Sequence, residues 1–96
     1  MGFFFSDPEE KYPIERHLIS EIDVKNLVSR FREPDLSVDQ ENLIEDTILV
    51  KRREHDGKLS LRDVFKILHH FKLEKKISEN DLHEVMTEFE KHLGKV

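Results

Sequence analysis

The sequence predicts an all-α fold, a single small bundle of four main helices with a short helical N-terminal arm. Three observations carry that expectation. The first is a recurring phrase: Ile19-Ser20-x-x-Asp23-Val24-x-x-Leu27-Val28-x-x-Phe31 returns as Leu59-Ser60-x-x-Asp63-Val64-x-x-Ile67-Leu68-x-x-Phe71. It returns again as Ile77-Ser78-x-x-Asp81-Leu82-x-x-Val85-Met86-x-x-Phe89. The second is spacing, since apolar residues at +4, +7, +8 and +11 from each Ser fall on one face of a helix. The third is size: 96 residues, 36% of them apolar and 39% charged, suit one core. The chain therefore reads as one domain over residues 1–96, with an arm at 1–19 and a helical core at 20–96.

Each phrase has a physical reason. A Ser hydroxyl at a helix start accepts a hydrogen bond from an N–H of the first turn, and the acid three residues on reaches back to the Ser N–H. The apolar residue before the Ser packs on one inside the helix as a hydrophobic staple. A looser copy begins Leu36-Ser37-x-x-Gln40, with apolar residues at Leu43, Ile44, Ile48 and Leu49. Four helices are thus expected over 21–32, 38–53, 61–73 and 79–93. Glu33-Pro34-Asp35 ends the first, because the residue before a proline avoids helical angles. Asp56-Gly57 ends the second, with glycine suited to the left-handed cap, and Leu93-Gly94-Lys95 closes the fourth in the same manner. The third ends near 72–76 without a glycine. In the arm, Ser6-Asp7-Pro8-Glu9-Glu10 caps one short turn and Pro13 opens a short helix through Leu18. The chain has no Ala, so helix contacts must be filled by Leu, Ile, Val and Phe.

Composition excludes several classes. No apolar run approaches the roughly 18–20 residues that span a bilayer, and no signal-peptide pattern opens the chain, so a cytoplasmic location is expected. Zero Cys removes disulfides, thiolate nucleophiles and Cys-based metal sites. Ser20, Ser37, Ser60 and Ser78 all stand at helix starts, where capping explains them. With three Gly and no Gly-rich phosphate loop, no catalytic residue is assigned and the protein reads as a non-enzyme. Met1-Gly2-Phe3-Phe4-Phe5-Ser6 fits the pattern for N-myristoylation formally, but the bulky Phe residues and the acids after them make it a poor example.

The stretch Asp56-Gly57-Lys58-Leu59-Ser60-Leu61-Arg62-Asp63-Val64 resembles the exit half of an EF-hand, in which Gly makes a sharp turn, an aliphatic residue follows and an acid starts the exiting helix. The resemblance implies a degenerate, EF-hand-like helix-loop-helix taking calcium or another divalent metal through Glu54, Asp56, Ser60 and Asp63. Arg52 falls where the first carboxylate ligand belongs, and Asp63 is shorter than the bidentate Glu of a calcium loop. The 18-residue step between the copies at Ser60 and Ser78 is similar to that of TerB-like helical domains, a resemblance that implies an acidic, sometimes metal-associated all-α domain.

The net charge of −5 is unevenly spread. Residues 1–50 carry 5 Lys+Arg against 12 Asp+Glu, residues 51–76 carry 9 against 4, and residues 77–96 carry 2 against 5. The basic block includes Lys51-Arg52-Arg53, Arg62 and Lys66. On the helix after Ser60, Leu61, Val64, Phe65, Leu68 and Phe71 face inward, leaving Arg62, Lys66 and His69 outside. Six His include the i,i+4 pairs Glu79/His83 and Glu88/His92, each offering two ligands on one face. The expected function is a non-catalytic protein-interaction or regulatory module. Its contact residues are Arg52, Arg53, Arg62 and Lys66, which suit an acidic protein partner, and Phe3, Phe4 and Phe5, which suit a core lid or a homo-oligomer contact. The alternatives are the divalent-metal helix-loop-helix and a nucleic-acid binder working through residues 51–76, against which the acidic remainder of the chain argues.

Overall fold

A computed structural model describes residues 11–29 and 37–94. In chain order these form β1 (His17–Leu18), α1 (Glu21–Ser29), α2 (Val38–Glu54), β2 (Lys58–Leu59), α3 (Leu61–Leu73) and α4 (Glu79–Leu93). The four expected helices are present. Helix α1 packs on α2, α2 on α3, α3 on α4 and α4 back on α1, which closes a ring around one core. Among the described residues no helix is long and apolar enough to cross a membrane.

The helix starts follow from the repeated phrase. Ser37 with Gln40, Ser60 with Asp63 and Ser78 with Asp81 each form a reciprocal capping box. At α1 the Asp23 N–H donates to Ser20 Oγ at 3.0 Å, while the Asp23 carboxylate lies 3.6 Å from His92 Nε2 on α4. The staple residues Ile19, Leu59 and Ile77 are buried, as are their in-helix partners Val24, Val64 and Leu82. With no Ala, the buried apolar cluster among the described residues is made of Ile, Val, Leu, Phe and Met, and Phe89 is fully enclosed. Emptying that site with Phe89→Ala costs about 3–5 kcal/mol.

The helix ends follow expectation at α2 and depart from it at α4. After α2 Gly57 takes the left-handed region as expected (φ 85), and Asp56 before it does so too (φ 56). The Gly57 N–H bonds the Arg52 carbonyl at 2.9 Å and the Asp56 N–H bonds that of Arg53 at 3.4 Å, the paired bonds of a Schellman motif. Helix α3 ends the same way without glycine. Lys75 takes φ 62, its N–H bonds the Lys72 carbonyl at 2.9 Å, and the Lys76 N–H bonds that of Phe71 at 2.9 Å. Gly94, expected in the left-handed region, instead has φ −83 and ψ −1. Its role is steric, because a Cβ there would lie 2.6 Å from the Glu90 carbonyl oxygen.

The expected helix from Pro13 to Leu18 does not form. That stretch is extended, and β1 pairs antiparallel with β2 in the register His17 opposite Leu59 and Leu18 opposite Lys58. The Ile19 N–H adds a bond to the Gly57 carbonyl at 3.1 Å. The cause is tertiary: Pro13 is a local helix-start signal, but the free backbone groups after the α2 turn pair with His17, Leu18 and Ile19 at the end of this segment. The Ser6–Glu10 turn, Phe3–Phe5, the end of the first helix at 30–32, the Glu33-Pro34-Asp35 stop and Leu36 lie outside the described residues.

One stability prediction follows from the α3 end. A non-glycine residue in the left-handed region is strained, and glycine is not. Lys75→Gly is therefore expected to stabilise the fold by about 0.5–1 kcal/mol after the entropy glycine adds to the unfolded chain, raising the melting temperature by a few degrees. Thermal unfolding followed by circular dichroism reads it.

Candidate functional site

Asp63, at the start of α3, is bonded to both the helix start and the arm. Its Oδ2 accepts the Ser60 N–H at 3.0 Å, while its own N–H donates to Ser60 Oγ at 2.9 Å. The same carboxylate receives Arg16 in a fork, Nε to Oδ2 at 2.8 Å and Nη2 to Oδ1 at 3.1 Å. Burial pushes the Asp63 carboxyl up, but the Arg16 guanidinium and the Ser60 N–H and hydroxyl outweigh it and hold the group below its ordinary value. Arg62 completes the junction: its N–H donates to the Pro13 carbonyl at 3.3 Å and its Nε to the Tyr12 carbonyl at 3.0 Å. The arm thus lies across the N-terminus of α3, satisfying donors that a helix start leaves open.

This junction takes up two of the four sequence-derived metal candidates, Ser60 and Asp63. Asp63 and Ser60 are bonded to each other, and Asp63 also to Arg16. Glu54 is exposed and 3.9 Å from Lys51 Nζ, and Asp56 is exposed in the turn. Arg52 donates from Nε to the Ile19 carbonyl, and its guanidinium lies so close to Gly57 that a Cβ there would meet it at 3.3 Å. Among the described residues no three His, Asp or Glu side chains gather to hold a metal ion.

The basic surface read from the sequence divides into parts. Arg52 braces the β1–α1 connection against the α2 turn, with its Nη1 3.9 Å from Glu21. Arg62 pins the arm, and Arg53 stands exposed. Lys66 turns the other way, onto a cleft between α2 and α3. That cleft, about 490 Å³, has Ile67 and Phe71 in its floor and Lys51, Lys66 and Lys76 on its rim. A shallower depression continues it over Thr47, Val50 and Ile67. Among the described residues two carboxylates line the cleft as well, Asp63, held by Arg16, and Glu74, the latter 3.2 Å from His70 Nε2 and 3.3 Å from Lys76 Nζ, and the Lys76 ammonium sits 5.9 Å above the Phe71 ring.

Ile67 marks this cleft in the sequence as well as in space. Of the apolar positions of the three close copies among the described residues, every one is buried except Ile67, whose counterparts Leu27 and Val85 are enclosed. The phrase alone gave no sign of that difference, because Ile67 matches its pattern. Lys51 and Lys76, on other elements, were likewise missed as members of one surface; Lys66 with His70 and Ile67 with Phe71, both i,i+4 pairs, were the available signal.

The chain was compared with protein-family models, with curated proteins and with solved structures, and nothing matches.

The Asp63 junction predicts a pH dependence. A carboxyl held below its ordinary value of 3.8 adds stability that is complete above that value and is lost as pH falls through the lower folded one. Asp63→Asn is expected to cost about 2 kcal/mol near neutral pH, because it removes the charge that holds Arg16. It should also flatten the loss of stability on acidification below pH 3.8, measured by urea unfolding across a pH series. An unchanged acid limb in the variant would remove Asp63 as its source.

Proposed function

We propose that this chain is a non-catalytic protein-interaction module whose cleft between α2 and α3 receives an acidic, amphipathic helical segment of a partner protein. The observation that carries the reading is the partly buried Ile67, a core-type repeat residue at a cleft lined by three lysines and by two carboxylates that are already ion-paired. An apolar strip on a partner would cover Ile67 and Val50, and carboxylates flanking that strip would meet Lys51, Lys66 and Lys76. That is the helix-in-groove mode of recognition, with charge setting orientation and encounter rate and apolar burial supplying affinity. Of the residues singled out by sequence, Lys66 belongs to this surface. Arg52 and Arg62 support it indirectly by holding the arm and the α2 turn in place.

Two synthetic peptides with the same apolar i, i+3, i+4, i+7 pattern, one flanked by Glu and one by Lys, test the reading by amide NMR. The Glu peptide is expected to shift Thr47, Val50, Lys51, Ile67 and Phe71 saturably. Lys51→Glu with Lys66→Glu should weaken that binding by about tenfold or more, and added salt should weaken it too. Equal binding of both peptides, or shifts centred on another surface, contradicts the proposal. Binding of duplex DNA at this cleft in preference to the Glu peptide would do the same and favour a nucleic-acid role for residues 51–76.

A further inference from the structure

A second cavity lies on the opposite side of α3, where the arm meets the first turns of α4. It measures about 150 Å³ and collects Lys11 and Tyr12 from the arm, His69 and Lys72 from α3, and Glu79 and His83 from α4. Such a volume is well below the roughly 300–1,000 Å³ of sites for drug-sized ligands, so its occupant must be small. One wall is a stacked column: Tyr12 on Phe65 with ring centroids 4.9 Å apart, and Phe65 on His69 at 5.3 Å. The column fixes the His69 imidazole at the cavity edge.

Charge decides what the cavity suits. Lys11 and Lys72 are cationic, and among the described residues Glu79 is the one carboxylate that lines it. That carboxylate is already ion-paired with Lys72. Lys72 holds it below the ordinary glutamate value, with smaller contributions from His69 and His83, which places both imidazoles within electrostatic reach of the same point. A divalent cation would face two ammonium groups, and no three metal-ligating side chains gather among the described residues. An anion meets the opposite balance, a net positive charge that grows by two when both histidines are protonated.

We infer that the cavity between the arm, α3 and α4 is a binding site for a small tetrahedral dianion, sulfate, phosphate or the phosphate of a monoester, held by Lys11, Lys72, His69 and His83. Affinity is greater at pH 6 than at pH 8, because protonated imidazoles add positive charge to the site. Between pH 6 and 8 Glu79, held below its ordinary value by Lys72, stays ionised, and Tyr12, raised by burial and by Glu90, stays neutral. The site is independent of the α2–α3 cleft.

Sulfate is the deciding probe, because its charge is constant between pH 6 and 8. Titration followed by amide and imidazole NMR, at ionic strength held constant with chloride, should give saturable shifts at Lys11, His69, Lys72 and His83. Affinity at pH 6 should exceed that at pH 8 by about tenfold. His83→Gln should shrink that pH dependence, Lys11→Gln should weaken binding at both pH values, and Lys51→Glu should leave it unchanged. Each variant is first checked for an otherwise native spectrum. Inorganic phosphate and O-phosphoserine then compete against sulfate: equal strength assigns the free ion, and stronger phosphoserine binding assigns the monoester. Shifts that do not saturate, that spread over all basic residues, or that ignore both pH and the two cavity variants overturn the inference.

Discussion

The constraint on which the rest of the structure depends is the Asp63 carboxylate, a single group closing two structural cycles. In one it completes the capping box that starts α3. In the other it receives the Arg16 fork and so fixes the N-terminal arm. A carboxylate this enclosed is costly without compensation, and its hydrogen-bonded ion pair and cap bonds supply it. With the arm held, β1 can pair with β2, Ile19 can close over the core, and α1 starts at a fixed place relative to α3. The two proposed sites lie on either side of the helix that this group starts. One uses the face of α3 turned to α2; the other is completed by arm residues that Asp63 and Arg62 hold in place.

Much of the fold was legible because its instructions are local. Helix starts are written as Ser followed three residues later by Asp or Gln, and such boxes need no distant partner to be recognised. The core face follows from the same phrase, so Val24, Leu68, Met86 and Phe89 could be assigned before any packing was known. The arm was misread for the complementary reason. Pro13 is a valid local signal for a helix, but the outcome there was set by open backbone groups some forty residues away at Gly57 and Leu59, which no local pattern displays. The left-handed Lys75 was hidden too, because the geometry rather than the residue type ends α3.

The proposed binding surfaces were harder to read, and charge shows why. A basic block along the chain is not a basic patch in space. The four cations singled out in residues 51–76 point in different directions: Arg52 toward the Ile19 carbonyl, Arg62 toward the arm, Arg53 to solvent and Lys66 to the cleft. The surfaces that do form draw on Lys51, Lys76, Lys11 and His83, brought together by packing rather than by sequence proximity. The EF-hand-like phrase is a further case. Its glycine turn and acid-led helix start are present, but the acid is held by Arg16 and Ser60, and the position of a first carboxylate ligand is taken by the Arg52 guanidinium.

The most direct test of this account is native-state hydrogen exchange in Arg16→Gln, a change that removes the fork while leaving the capping box of α3 intact. If Asp63 organises the molecule through Arg16, exchange should accelerate at the amides that depend on the held arm, those of Ile19 and Arg62, while amides in the centre of α4 such as Phe89 keep their protection. Unchanged protection at Ile19 and Arg62 would contradict the account, showing that the arm stays in place without the ion pair.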